Sequence, residues 1–301
     1  AATRPRLFHG QQGAPLAMTL LQALILGAVQ GLTEFLPVSS TAHLYIAQTL
    51  LRIRNDEIAL AFDVVLHLGT ALALLLVFRQ TIASLVSELY RWGTGQPARD
   101  AASRNLLLPL VIGTIPGVLA GLFLLKRVES IRTLGLIGAS MLVACVYFLL
   151  AERSADASRR VERSLSQVNG TDAIAIGLAQ AAAGLMAGFS RSGLTIATGL
   201  FRGLRRSDSA RFSFLLALPL ILGAGAKALL DLRHAAGPSI SAAALATGFL
   251  SSAIVGIFAI RFLLSFFSNH SLRPFAIYLG LLGTALLIAS VRLGLPFLAG
   301  G

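Results

Sequence analysis

The chain has 301 residues, 55% of them hydrophobic and 13% charged, with a formal net charge of +12. A soluble domain of this size carries roughly 25% charged residues, so the composition excludes an ordinary soluble enzyme. The basic residues are arginines apart from Lys126 and Lys227, and they sit in the breaks between apolar runs. That placement excludes nucleic-acid binding and points to membrane lipids as partners.

In chain order, residues 1–17 are polar and read as a leader or an artificial extension. Residues 18–151 form a first half, with a broken apolar segment at 19–51 and spans at 58–79, 104–125 and 133–151. Residues 152–171 read as a solvated, arginine-rich cytoplasmic loop. Residues 172–301 form a second half, with a broken segment at 172–201 and spans at 212–231, 241–261 and 274–293. Cys145 is the single cysteine, so no disulfide forms within one chain.

The breaks fall at Leu36-Pro37-Val38-Ser39-Ser40 and Ala187-Gly188-Phe189-Ser190. The arms after them, Ser40–Leu51 and Ser192–Phe201, span about 18 and 15 Å as helix. A hydrocarbon core is about 30 Å thick, so each broken segment reads as a re-entrant hairpin. The two also match: Gln30 and Ser40 recur as Gln180 and Ser190, an offset of 150 that the following span keeps. Each half has one hairpin and three spans, and this odd parity inverts the second half in the membrane. The expected fold is an all-α integral membrane protein. It has an inverted-topology repeat, about six transmembrane helices and two re-entrant helical hairpins.

Loops 79–104 and 151–171 and segment 202–211 share one side and carry twelve arginines. The opposite side carries six basic residues: Arg52, Arg54, Lys126, Arg127, Arg132 and Arg233. Positive charge marks the cytoplasm, so the first hairpin enters from outside and the second from the cytoplasm.

Polar groups at membrane depth are functional candidates, and they gather at the breaks. Gln30 and Glu34, four apart, share a helix face and offer oxygen ligands for a hard divalent cation, Mg²⁺ or Ca²⁺. Ser40 and His43 are spaced so that an imidazole approaches a hydroxyl, as a serine nucleophile requires. Glu34 is placed either to orient His43 or to act as the base itself. Ser39 competes with Ser40 as nucleophile, and Thr41 lies beside them. Ser190, Arg191, Ser192 and Gly193 open a helix and form an anion cradle. One arginine beside a glutamate cannot neutralise a pyrophosphate, so a cation is expected with it. Asp63 and His67, also four apart, read as outer-layer support for the site or as structure; His270 and His234 read as loop residues.

Gly31-Leu32-Thr33-Glu34-Phe35-Leu36-Pro37-Val38-Ser39-Ser40-Thr41-Ala42-His43-Leu44 closely resembles the first signature of the bacterial undecaprenyl-pyrophosphate phosphatases of the BacA type. Gly188-Phe189-Ser190-Arg191-Ser192-Gly193 resembles the second, with Ala187 where the family usually has proline. The likeness spans about 20–295 and extends to the segments beginning Phe212 and Pro274.

The resemblance implies inverted repeats with re-entrant hairpins. It implies hydrolysis of undecaprenyl pyrophosphate to the monophosphate, which recycles the cell-wall carrier lipid and gives bacitracin resistance. It also implies a bacterial cytoplasmic-membrane location and a site opening to the periplasm. Glu34 falls on the essential glutamate, Ser40 on the proposed nucleophile, His43 on the active-site histidine and Arg191 on the phosphate-binding arginine. Direct attack by water is the competing mechanism. A polyprenyl-lipid transporter or flippase is the competing function, because broken inverted repeats are also transporter architecture. A homodimer is carried as an expectation of assembly.

Overall fold

The computed structural model of the protein describes residues 18–53, 57–123, 133–157, 162–232 and 240–293. Eleven α-helices occur among them. The first broken segment folds as α1 (Leu20–Thr33) and α2 (Ser40–Leu50), followed by α3 (Glu57–Val77), α4 (Arg79–Gly93), α5 (Ala101–Phe123) and α6 (Leu134–Ala157). The second folds as α7 (Gly170–Leu185) and α8 (Arg191–Phe201), followed by α9 (Arg206–Leu232), α10 (Ala242–Asn269) and α11 (Arg273–Arg292). Six of them, α3, α5, α6, α9, α10 and α11, are long and apolar enough to cross a membrane. Their faces remain studded with exposed Leu, Val, Ile and Phe, as lipid contact demands and water would not tolerate. The protein is an all-α, multi-pass membrane protein.

Local chemistry explains where the chain breaks. Thr19 caps α1 through a capping box with Gln22, satisfying donors that a helix start leaves free. After α1, Pro37 lacks an N–H and Ser39 adopts φ 71°, which turns the chain before Ser40 restarts a helix. At the second break Gly188 takes φ 102°, and a Cβ there would lie 2.5 Å from the Ile137 carbonyl oxygen. Only glycine meets both demands. The helices α2 and α8 have 11 residues each, about 16 Å of rise and too short to cross the core alone.

The hairpins pack across the halves. Helix α1 lies chiefly against α10, and α7 chiefly against α5. A close glycine–glycine contact of this kind is made twice, by Gly27 and by Gly177, which stand at the repeat offset. A Cβ on Gly27 would lie 2.5 Å from the Gly248 carbonyl oxygen, and one on Gly177 would lie 2.4 Å from that of Gly113. Small residues let these backbones approach where dispersion and weak polar contacts, rather than water exclusion, hold helices together. Ser251 Oγ donates to the Leu24 carbonyl at 2.9 Å, and Ser252 Oγ donates to that of Leu66 at 2.8 Å.

Three stretches differ from the sequence expectation. Loop 79–104 contains the helix α4, whose Glu88 is buried and accepts from the backbone N–H groups of Arg99 and Asp100 at 2.9 and 3.0 Å. Its polar and apolar residues alternate at helical spacing, so it has no apolar run to betray it. The supposed solvated stretch from 152 begins inside α6. Glu152 is fully buried, accepts from Arg206 Nη2 at 2.5 Å and caps α11 through the Leu272 N–H at 2.7 Å. Helix α10 runs to Asn269, eight residues past the expected end of its span.

Arg163 and Arg202 converge on the buried Asp172 at 2.6 and 2.8 Å, so the basic segments before α7 and after α8 lie against each other. Residues 1–17, Arg54, Lys126, Arg127, Arg132, Arg233 and His234 lie outside the described residues.

Candidate active site

The two breaks meet. Glu34 ends α1, and Arg191 opens α8; the guanidinium Nη2 donates to Glu34 Oε1. Glu34 Oε2 accepts from Ser40 Oγ at 2.8 Å and from Gln30 Nε2 at 2.9 Å. His67 of α3 brings Nε2 to 3.6 Å from the same oxygen. The carboxylate side chain is 5% exposed. In so dry a place it persists as a charge only with these partners.

A cavity of about 350 Å³ opens beside this cluster, and its polar wall is Thr33, Glu34, Ser40, Thr41, His67, Ser190 and Arg191. Ser190 caps α8, accepting from the Gly193 N–H at 3.2 Å, and the helix start at Ser190 and Arg191 borders the cavity, a place that favours an anion. Arg191 Nη1 is buried without a hydrogen-bond partner. The guanidinium therefore has a donor to give a phosphate oxygen while Nη2 stays on Glu34.

Other expected residues stand behind the wall. Ser39 is buried, caps α2 weakly through the Ala42 N–H at 3.4 Å, and is turned from the cavity. The Ser192 side chain is not on the cavity wall: its hydroxyl donates to the Leu36 carbonyl at 3.2 Å, ties the two breaks together and lies 3.3 Å from Ser190 Oγ. Gly193 is held by packing, because a Cβ would meet Phe148 at 2.1 Å and Pro37 at 2.9 Å.

His43 does not address Ser40. Its Nδ1 pairs with the Ser39 carbonyl at 2.8 Å, and its Nε2 with the Tyr278 hydroxyl at 2.6 Å. A carbonyl only accepts, so Nδ1 carries the proton and Nε2 accepts from Tyr278. The group in contact with the Ser40 hydroxyl is Glu34.

His67 is more central than its sequence spacing suggests. Its Nδ1 donates to the Asp63 carbonyl at 2.7 Å, and Asp63 Oδ1 in turn accepts from Gln48 Nε2 at 2.8 Å. The ring is thereby aimed at Glu34 from a third helix. Its spacing from Asp63 shows one helix face, but nothing local reveals Glu34 as the partner.

The site offers few ligands for a divalent cation. Among the described residues no group of three or more His, Cys, Asp or Glu stands together. Glu34 supplies one carboxylate, and the buried Gln30 Oε1 is an oxygen without a partner. A Mg²⁺ ion bound through one carboxylate, with substrate phosphates and water completing the shell, suits such a set. A closed cage made by protein alone does not.

The family model described as bacitracin resistance protein BacA matches residues 23–285. The chain belongs to the BacA family. Its curated relatives include the undecaprenyl-diphosphatase of Rubrobacter xylanophilus, 42% identical over 87% of this chain and 94% of that protein. That of Desulforudis audaxviator is 41% identical over 91% of this chain and all of the relative. That of Myxococcus xanthus is 40% identical over 90% and 89%. The BacA match includes every residue of the carboxylate–arginine cluster, from Gln30 to Arg191.

Proposed function

We propose that the protein is a membrane phosphatase that hydrolyses undecaprenyl pyrophosphate to undecaprenyl phosphate and inorganic phosphate. The observation that carries the reading is the Ser40 hydroxyl donating to Glu34 at 2.8 Å on the wall of a cavity that also holds Arg191. The relatives' names give the substrate, and the transporter reading gains no support from them.

Ser40 Oγ attacks the terminal phosphorus, and Glu34 takes the hydroxyl proton as the new P–O bond forms. The bond to the bridging oxygen breaks, and undecaprenyl phosphate leaves. Water then attacks the phosphoserine, restores Ser40 and releases phosphate. Arg191 Nη1 and the N–H groups opening α8 hold the phosphoryl oxygens as charge develops on them. His43, locked between Ser39 and Tyr278, positions the start of α2 and with it the nucleophile. Glu34 and Gln30 are the residues that would hold a divalent cation, which would supply charge neutralisation for the pyrophosphate.

The basic loops favour the bacterial cytoplasmic membrane, with the cavity opening toward the periplasm. Removing the terminal phosphate there is the activity expected to protect against bacitracin. The test is phosphate release from polyprenyl pyrophosphate by purified protein beside Ser40→Ala, Glu34→Gln and Arg191→Ala. The reading requires release by the wild type and its loss in all three. Acid quenching during turnover, followed by mass spectrometry, should find phosphate on Ser40; its absence, with full activity, assigns the attack to water.

A further inference from the structure

The cavity is smaller than the substrate proposed for it, and the route of the prenyl chain inferred from that mismatch rests on the phosphatase reading. A volume of about 350 Å³ stands at the lower end of small-molecule sites. It accommodates a pyrophosphate and the beginning of a prenyl chain; the rest of a polyprenyl chain must pass out through the wall.

Charge and exposure show where. The ionic groups Glu34 and Arg191 stand at the hairpin breaks, while α7 and α9 give an apolar wall that includes Ala183, Gly184, Leu220, Ile221, Ala224 and Gly225. Gly184 and Ala224 are the lining residues that are exposed; the others are buried or half-buried. The cavity therefore meets the outside between the last turn of α7 and the second half of α9.

Gly184 has no reason to be glycine in the fold itself. It lies within α7 and its φ is not in the left-handed region. A Cβ there would meet no heavy atom within 4 Å, in contrast to Gly177 of the same helix, whose Cβ would strike the Gly113 carbonyl oxygen at 2.4 Å. Glycine weakens a helix relative to alanine. Gly184 is both exposed and part of the cavity lining, so a side chain there would enter open space at the mouth of the cavity. By the repeat offset of 150, Gly184 corresponds to Glu34: one half puts a carboxylate at this position and the other leaves space.

We propose that the prenyl chain leaves the cavity between α7 and α9, past Gly184 and Ala224, and that Gly184 sets the width of this exit. Wild type, Gly184→Ala, Gly184→Leu and Ala224→Leu are compared in lipid nanodiscs. The substrates are a long polyprenyl pyrophosphate and dimethylallyl pyrophosphate, whose chain is one isoprene unit.

On the long substrate kcat/KM falls from wild type to Gly184→Ala to Gly184→Leu, by about tenfold or more for the last. Ala224→Leu falls in the same direction. The loss on the short substrate is several-fold smaller. Gly184→Ala unfolds at or above the wild-type temperature, because the substitution adds helix propensity and meets no clash. Full long-chain activity in Gly184→Leu, or equal proportional losses on both substrates, overturns the exit and leaves the phosphatase reading standing. A wild type that releases phosphate from neither substrate removes that reading, and this proposal falls with it.

Discussion

Arg191 Nη2 donates to Glu34 Oε1, joining two hairpins whose paired residues stand 157 positions apart. The pair is structural, the proposed mechanism gives it a chemical role as well, and the two roles separate experimentally. Arg191→Ala leaves a buried carboxylate without its cation, at a cost of about 3–5 kcal/mol in stability. It also lowers kcat/KM by about 10²–10³-fold, as loss of an oxyanion donor does elsewhere. The double variant Glu34→Gln with Arg191→Gln recovers stability in thermal unfolding and remains inactive. Recovery of activity in that neutral pair would remove both residues from the chemistry.

The neighbouring serines give opposite results. Ser40→Ala deletes the hydroxyl bonded to Glu34, and kcat falls by about 10⁴-fold or more. Ser39→Gly keeps activity within a few-fold. It loses a long cap bond of 3.4 Å but relieves a side chain from φ 71°. Phosphate-release rates of the two variants decide which serine attacks.

His67 bears on the cavity directly. Replacing it by leucine removes a polar group 3.6 Å from Glu34 on the cavity wall and lowers kcat/KM by about fivefold, the loss of roughly 1 kcal/mol of net polar interaction. His67→Gln, whose amide reaches toward the same place, restores part of that loss. Equal activity of the leucine and glutamine variants would make the ring a packing group.

Acid sensitivity is expected at the corner between α4 and α5. The Asp100 N–H, then against desolvation the Arg99 N–H and the charges of Arg104 and Arg91, hold the Glu88 carboxyl below its ordinary range. A depressed carboxyl stabilises the fold at pH values above its unfolded pKa of about 4.3. That contribution disappears as pH falls through the lower folded value. The difference in unfolding temperature between wild type and Glu88→Gln is therefore largest near neutrality and shrinks with acidification below about pH 4.

Much of the fold was legible because bilayer spans must be long and apolar, and all six spans were found at their places. The breaks were legible because Pro37 and Gly188 stop helices, and their polar residues marked the site. What was hidden depended on partners distant in sequence. Helix α4 has no apolar run and hides among basic residues. Glu152 looks like a loop charge until Arg206 and the start of α11 close on it. The Ser40–His43 spacing suggested a dyad, yet Tyr278 holds the imidazole and Glu34 takes the hydroxyl. Ser192 had the right type for an anion cradle, but its hydroxyl turns to the Leu36 carbonyl, which also accepts from the Val38 N–H.

The crossed packing of the hairpins also constrains how the chain is made. When α1 and α2 leave the ribosome, the surface that α1 needs, on α10, has not been translated. The Glu34 carboxylate must wait, held by α3 and lipid, until nearly the whole polypeptide is in the membrane. A ribosome that stops after α6 thus leaves an inserted fragment with neither hairpin seated. Expressing the two halves as separate chains should restore activity only when both are present during insertion.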